Sequence, residues 1–330
     1  MGRIAIVVLT LALALSSSTA AFAALRVGTN SAEVLTGTHS ADLLNGKGAG
    51  DALRGLAAND VYYFADGYGQ DTLVERAQHK VGGKVLPGGK DSLNFSRVTS
   101  AMSVYLTPEW PTSGDSYGNQ GVTTDSDSVK HRVALGTSPV ENVTGGSGGT
   151  DFIGGGGASN TLRPGGGPNN TLRDFGGWVG GEGLPAIPNA SGDTYSGFGS
   201  LPSGGRADVA DWGGGTDRLV LPGGASDYHL DSVDLDGVGA TEESLQVYDP
   251  RINASIFVYG HFGEYSNWTR SYGMHGQIER VQFADGVFDT AQAPRLQARN
   301  LGATTGIARE AERAAEEARS DAPTDPTRPG

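Results

Sequence analysis

A nine-residue period runs through the first part of the chain and restricts the folds that it can adopt. Glycines recur every nine residues, each followed by an acidic residue five positions later and a large apolar residue seven positions later. The three columns are Gly28, Gly37, Gly46 and Gly55, then Glu33, Asp42, Asp51 and Asp60, then Leu35, Leu44, Leu53 and Tyr62. An α-helix of ~3.6 residues per turn would place successive members of a column on opposite faces, so a helix is excluded. The period predicts short strands with an inward-pointing middle residue, joined by glycine turns.

These columns resemble the calcium-binding repeat of RTX (haemolysin-type) proteins, G-G-x-G-x-D-x-U-x, in which U is a large apolar residue. The pattern returns around Asp71, Asp91, Asp151 and Asp217, and with a neutral residue at Asn160 and Asn170. The resemblance implies an all-β fold with segments of parallel β-roll (an RTX solenoid). In such a roll two rows form one coil, and calcium ions lie between turns on the same side.

The resemblance also implies the calcium ligands. Glu33 would pair with Asp51 on one side of the roll, and Asp42 with Asp60 on the other, beside backbone carbonyls of the turns. The implied ligand residues are Glu33, Asp42, Asp51, Asp60, Asp71, Asp151 and Asp217, together with Gly46, Gly48 and Gly55. The second and third glycines of the pattern are replaced in all four N-terminal rows, from Thr29 and Ser31 to Leu56 and Ala58, so fewer tight sites are expected.

Composition agrees with a hard cation as ligand. The net charge of −13 makes nucleic acid an improbable partner, and the absence of cysteine rules out thiolate ligands. Ca²⁺ takes ~6–8 oxygen ligands in flexible geometry, which carboxylates and peptide carbonyls supply together. Without the ion, stacked carboxylates would repel one another across a thin interior. Calcium binding is therefore expected to be coupled to folding.

The N-terminus predicts export. Arg3, the apolar run from Ile4 to Leu15 and the sequence Ala21-Phe22-Ala23 are typical of a cleaved signal peptide over 1–23, and no membrane span is expected in the mature chain. The predicted organisation is an N-terminal roll over 24–80, a β-rich insertion over 81–144, a second, degenerate roll over 145–222, a C-terminal β capping domain over 223–290, and a short helix with a disordered tail over 291–330. The capping region resembles the domain that closes many haemolysin-type proteins.

The sequence favours a secreted, extracellular, non-enzymatic protein, monomeric, with a structural or adhesive role. A polysaccharide or protein at the cell surface or in the medium is left open as a further partner. One alternative is a carbohydrate-binding module that uses aromatic residues, namely Tyr248, Tyr259, Tyr265, Trp268 and Tyr272. A less favoured alternative is a hydrolase, for which candidate residues are Ser147 in a G-x-S-x-G sequence and the acids Asp231, Asp234, Asp236, Glu242 and Glu243.

Overall fold

The computed structural model of the chain is rich in β-strands. It describes residues 23–75, 78–81, 84–106, 121–125, 131–136, 140–148, 150–155, 159–174, 192–211, 215–233, 235, 244–261 and 278–289. The predicted signal peptide and the predicted C-terminal helix lie outside these residues. Two short 3-10 turns, Phe198–Ser200 and Ala225–Asp227, are the only helical elements in the described ranges.

The strands are short, as the nine-residue period predicts. In chain order they are β1 Ala24–Val27, β2 Val34–Thr36, β3 Asp42–Asn45, β4 Ala52–Arg54, β5 Val61–Ala65, β6 Gln70–Leu73, β7 Gln78–Val81, β8 Lys84–Pro87, β9 Ser92–Arg97, β10 Met102–Tyr105, β11 Gly121–Asp125, β12 Arg132–Gly136, β13 Asn142–Thr144, β14 Thr150–Gly154, β15 Thr161–Arg163, β16 Asn169–Asp174, β17 Thr194–Tyr195, β18 Arg206–Asp211, β19 Arg218–Val220, β20 His229–Val233, β21 Ser244–Asp249, β22 Ala254–Val258, β23 Arg280–Phe283 and β24 Gly286–Asp289.

Two sheets contain nearly all of these strands, and the N-terminal rows alternate between them. The first sheet has the order β1-β3-β5-β9-β13-β15-β17-β19-β23-β24, and the second has the order β2-β4-β6-β12-β11-β10-β14-β16-β18-β22-β21-β20. The neighbours β1 and β3 are parallel, with Ala24 opposite Asp42. In the second sheet Leu35 lies opposite Leu53 in the parallel pair β2 and β4. Both registers join residues that are two periods apart, so two rows of the sequence make one coil.

Antiparallel strands enter the second sheet at two places. Strands β10, β11 and β12 form a meander between the parallel strands β6 and β14, and β20, β21 and β22 form another at the end of the sheet. The first sheet ends in the antiparallel hairpin of β23 and β24. The first meander comes from the predicted insertion, and strands β20 to β24 come from the predicted capping domain. Strands β7 and β8 form a separate antiparallel pair. Strands of every predicted β segment therefore share the same two sheets, and the domain boundaries themselves stay predictions.

One large side chain from each coil fills the space between the sheets. In the first sheet these side chains stack in register as Leu44, Tyr62, Leu93, Val143, Leu162, Tyr195, Leu219 and Val281, all at most 1% exposed. The second sheet contributes Leu53, Leu73, Ile153, Leu172, Val209 and Val258. Leu44, Leu53 and Tyr62 confirm the interior column predicted from the repeat, whereas Leu35 in the first coil is only partly buried. The apolar core is thus continuous but one side chain thick per strand.

Candidate metal centre

Acidic side chains stand directly before the strands of the first sheet and link successive coils. Asp60 shows the arrangement, because its Oδ1 accepts a hydrogen bond of 2.7 Å from the backbone N–H of Asp42, and its own N–H donates to Asp91 Oδ1 at 2.8 Å. The same link joins Ala24 to Asp42, Asp91 to Glu141, Asn160 to Asp193, Asp193 to Asp217, and Asp217 to Glu279. We call this series the carboxylate column. Each acid satisfies a backbone donor that has left the strand ladder, which buried amides require.

A shorter series runs along the second sheet. The N–H of Glu33 donates to Asp51 Oδ1 at 2.8 Å, and the N–H of Asp51 donates to Asp71 Oδ1 at 2.9 Å. The structure thus brings together Glu33 with Asp51, and Asp42 with Asp60, in the pairs that the resemblance implies. Their service as calcium ligands stays a prediction.

The glycines named as site residues lie against these acids. A methyl group on the Cα of Gly46 or of Gly55 would clash with the Oδ2 of the acid five residues later, Asp51 or Asp60. These two glycines are therefore required because the carboxylates approach the backbone closely. Gly48 instead faces a neighbouring turn, where such a methyl would lie 3.2 Å from the carbonyl oxygen of Gly67.

The remaining predicted residues are placed less uniformly. Asp217 belongs to the carboxylate column, and Asp71 ends the shorter series; both are buried. Asp151 lies on β14 opposite Asn170, and its side chain is outside the described part of the structure.

The four N-terminal turns hold their acids in two different ways. In the first two rows the residue after the glycine caps the acid: Thr29 donates its N–H and its hydroxyl to Glu33 at 2.7 and 2.9 Å, and Thr38 donates both groups to Asp42. In the next two rows four residues adopt left-handed φ values of 67° to 86°, namely Lys47, Ala49, Leu56 and Ala58. The acids of these two rows, Asp51 and Asp60, keep a buried Oδ2 that no donor in the described part of the chain reaches.

The turns of the third and fourth rows show what happens where glycines of the repeat are replaced. The left-handed region disfavours residues with a Cβ, by roughly 1–2 kcal/mol each. Rows three and four nevertheless keep the turn geometry that their missing glycines would favour. The carboxylate oxygens that a cation could reach are therefore those of Asp51 and Asp60, whereas the capped Glu33 and Asp42 already accept several hydrogen bonds.

Burial raises the pKa values of four aspartates of the two series, so that they are weaker acids than exposed aspartates. It raises the pKa of Asp60, Asp71 and Asp217 to about 7, and the charges of neighbouring carboxylates raise it further in each case, against the opposing effect of a donated backbone hydrogen bond. The pKa of Asp91 rises to about 8 for the same reasons. At neutral pH these four aspartates are therefore partly protonated, and a bound cation would displace the protons.

Three aspartates meet where the two sheets face each other near their C-terminal halves. Asp174 ends β16 and Asp211 ends β18, in register with each other, while Asp193 stands just before β17 of the other sheet. One carboxylate oxygen of each lies within 4.8 Å of the other two, and all three residues are at most 1% exposed. We call them the tri-aspartate cluster. The hydroxyl of Tyr195, fully buried beside them, donates to Asp211 Oδ2 at 2.9 Å.

The donor set of the cluster is made of oxygen. A methyl group on Gly155 would lie 2.7 Å from the side-chain oxygen of Asn160 and 2.8 Å from that of Asp174, so an amide oxygen stands close to the acids. Burial raises the pKa of Asp193 to about 6. It also raises the pKa of Tyr195, helped by the three carboxylates, so the hydroxyl stays protonated. Three buried carboxylates with neutral oxygens around them can hold a hard divalent cation.

Sequence reasoning missed this cluster, although a signal was present. The repeat places a glycine two residues after the buried apolar residue of a strand. Asp174 follows Leu172 by two residues and Asp211 follows Val209 by two, so each acid occupies the first-glycine position of its row. A search for acids at that position would have found both.

The residues of the alternative functions are arranged differently. Ser147 is exposed, and its hydroxyl donates to the carbonyl of Val98 at 3.3 Å. Among the candidate acids Asp231 is an exposed residue of β20, and the other four lie outside the described residues. The hydroxyl of Tyr248 donates to Asn253, and that of Tyr259 accepts from Arg206; the other three aromatic candidates are also outside.

In the ranges described, the chain has no helix with the length and apolarity to cross a bilayer. A scan against protein-family models finds no match, and a search of curated proteins finds no similar sequence.

Proposed function

We propose that the chain is a secreted, non-enzymatic calcium-binding protein whose two parallel sheets form an RTX-type β-roll stabilised by bound Ca²⁺. The observation that carries the proposal is the tri-aspartate cluster, Asp174, Asp193 and Asp211, buried with an oxygen-only donor set. Three buried acids converge there with their carboxylate oxygens close together, which is an arrangement that a divalent cation stabilises.

The carboxylate column supports the same proposal along the whole roll. Its aspartates Asp42, Asp60, Asp91, Asp193 and Asp217 are buried. In the third and fourth rows Asp51, of the shorter series, and Asp60, of the column, each hold a carboxylate oxygen close to the glycine of the turn, and no donor among the described residues satisfies that oxygen. Ca²⁺ suits such sites better than Mg²⁺, because it accepts irregular sets of carboxylate and carbonyl oxygens whereas Mg²⁺ retains its waters. Export from a compartment poor in calcium into one rich in it would then couple folding to location. A structural or adhesive role follows, since the repeat offers a rigid surface rather than a reacting group.

The test is a comparison of the purified protein with and without calcium. Circular dichroism and thermal denaturation in excess Ca²⁺, in excess Mg²⁺ and in chelator should give more strand signal and a higher midpoint with Ca²⁺ than in the other two conditions. A chelated protein that is as ordered and as heat-resistant as the calcium-loaded one would refute the proposal.

A further inference from the structure

The arrangement of the tri-aspartate cluster is repeated near the N-terminus, where Asp60 of the repeat's acidic column is joined by residues outside that column. Glu75 follows Leu73 of β6 by two residues and so occupies a first-glycine position, as Asp211 does. Asp60 precedes Tyr62 by two residues, as Asp193 precedes Tyr195. The matching residues of the two groups are, in order, Asp193 and Asp60, Tyr195 and Tyr62, Asp211 and Glu75, and Asp217 and Asp91.

The contacts match as well as the sequence positions. The N–H of Asp60 donates to Asp91 Oδ1 at 2.8 Å, and the N–H of Asp193 donates to Asp217 Oδ1 at 2.7 Å. In the second sheet Leu53 lies opposite Leu73, which sets Gly55 beside Glu75, as Asp174 is set beside Asp211. Gly55 therefore stands where the other group has a third carboxylate, and its N–H donates to Glu75 Oε1 at 2.7 Å.

Three oxygens converge on the bare side of Gly55. A methyl group on its Cα would come within 2.5 Å of Asp60 Oδ2, of Glu75 Oε1 and of the Tyr62 hydroxyl. Tyr62 is fully buried, and among the described residues neither its hydroxyl nor Asp60 Oδ2 has a hydrogen-bond partner. A buried hydroxyl without a partner costs ~1–3 kcal/mol, and the lone pairs of its oxygen are of the kind that a hard cation binds. The unpartnered tyrosine distinguishes this place from an ordinary acidic cluster.

We propose that Asp60, Tyr62 and Glu75 form a second interior site for a hard divalent cation, with Asp91 adjoining it. It relies on the proposed function only for the identity of the ion as calcium. The cation accepts oxygens from two carboxylates and the tyrosine hydroxyl, and it occupies the space that a side chain at position 55 would otherwise fill. Glu75 and Tyr62 lie outside the ligand set of the repeat, whereas Asp60 belongs to it, so this site shares Asp60 with the fourth turn and takes its other two ligands from outside the turns.

Calcium titration calorimetry of the full-length protein tests the site through Glu75→Gln. The amide keeps an acceptor for Gly55 and loses the charge, so one Ca²⁺-binding event should weaken by about tenfold or more. Asp231→Asn is the matched control, since it removes one exposed carboxylate and should leave every binding event unchanged. Asp211→Asn should weaken a different event, and the double variant with Glu75→Gln should weaken both.

Tyr62→Phe gives a second readout that does not depend on charge. With Tb³⁺ as the probe, excitation of tyrosine should produce less sensitised emission from this variant than from wild type, while its circular dichroism in Ca²⁺ stays unchanged. Wild-type calcium affinities and stoichiometry in Glu75→Gln, with undiminished Tb³⁺ emission in Tyr62→Phe, would overturn the second site. A loss in Glu75→Gln alone, with Asp211→Asn unchanged, would support the second site and count against the tri-aspartate cluster. Absence of calcium binding by wild type would overturn the proposed function, and Tb³⁺ emission that is equal in wild type and Tyr62→Phe would then overturn the second site as well.

Discussion

Replacing Asp211 with asparagine should change the stability of the protein in opposite directions with and without calcium. The carboxylate oxygens of the tri-aspartate cluster lie within 4.8 Å of one another. Two unit charges at about that distance repel by ~3–4 kcal/mol at an effective dielectric constant of ~20. Burial raises the pKa of Asp193 to about 6, so at the pH 8 of the assay below this acid is ionised and proton uptake does not relieve the repulsion. Removing one charge should therefore stabilise the metal-free protein by about 1–3 kcal/mol.

Calcium should reverse the order of the two proteins. A ligand at about one hundred times its dissociation constant contributes ~2.7 kcal/mol of stability per site, and Asp211→Asn should forfeit most of that contribution. Asparagine keeps an oxygen that can accept the hydrogen bond from Tyr195, so the packing around the cluster is preserved. The assay is urea denaturation at pH 8 in chelator and in excess Ca²⁺, with Asp231→Asn as the control. A variant that is less stable than wild type in chelator, yet gains as much from calcium, would refute the reasoning.

Two further predictions follow from the buried acids and from the strained turns. In chelator the folded protein should lose stability as the pH rises from about 4 to about 7 and change little above that, because the unfolded chain releases the protons of Asp60, Asp71 and Asp217 near pH 4 whereas the folded-state pKa values are about 7. Calcium binds the ionised acids, so excess Ca²⁺ should remove or invert this dependence of stability on pH. Thermal midpoints at pH 5, 6, 7 and 8 with and without Ca²⁺ measure the dependence. A metal-free midpoint that climbs steadily with pH would contradict the prediction. Separately, Ala58→Gly should stabilise the protein by about 0.5–1 kcal/mol. Glycine removes the left-handed strain at φ 72°, and the added entropy of the unfolded chain offsets only part of that stabilisation. The control Ala52→Gly, in strand β4, should destabilise the protein in the same urea assay.

The sequence predicted the strands and their stacking because the nine-residue period determines both the length of each strand and the register between coils. A glycine, an acid and an apolar residue in fixed frame define one turn and one strand, and the pairing of Leu35 with Leu53 shows two such rows per coil. The first-glycine acids were not predicted, because Asp174 and Asp211 look like defects of the repeat when each row is considered alone. Their role as a cluster depends on Asp193, which is nineteen positions after Asp174 in the sequence. The two side chains come close together only when the two sheets pack against each other.

The stacking of coils explains why acids, rather than further apolar residues, occupy the positions before the strands. Each coil contributes about one large side chain per sheet to the interior, so additional stability has to come from links between coils. A carboxylate can form two such links. One oxygen accepts a hydrogen bond from the backbone N–H of the preceding coil, and the other oxygen remains available to a cation shared with the following coil. Asn160 lies beside the three acids of the tri-aspartate cluster and keeps a side-chain oxygen there without adding charge. A further carboxylate at this position would add repulsion that one divalent ion could not balance.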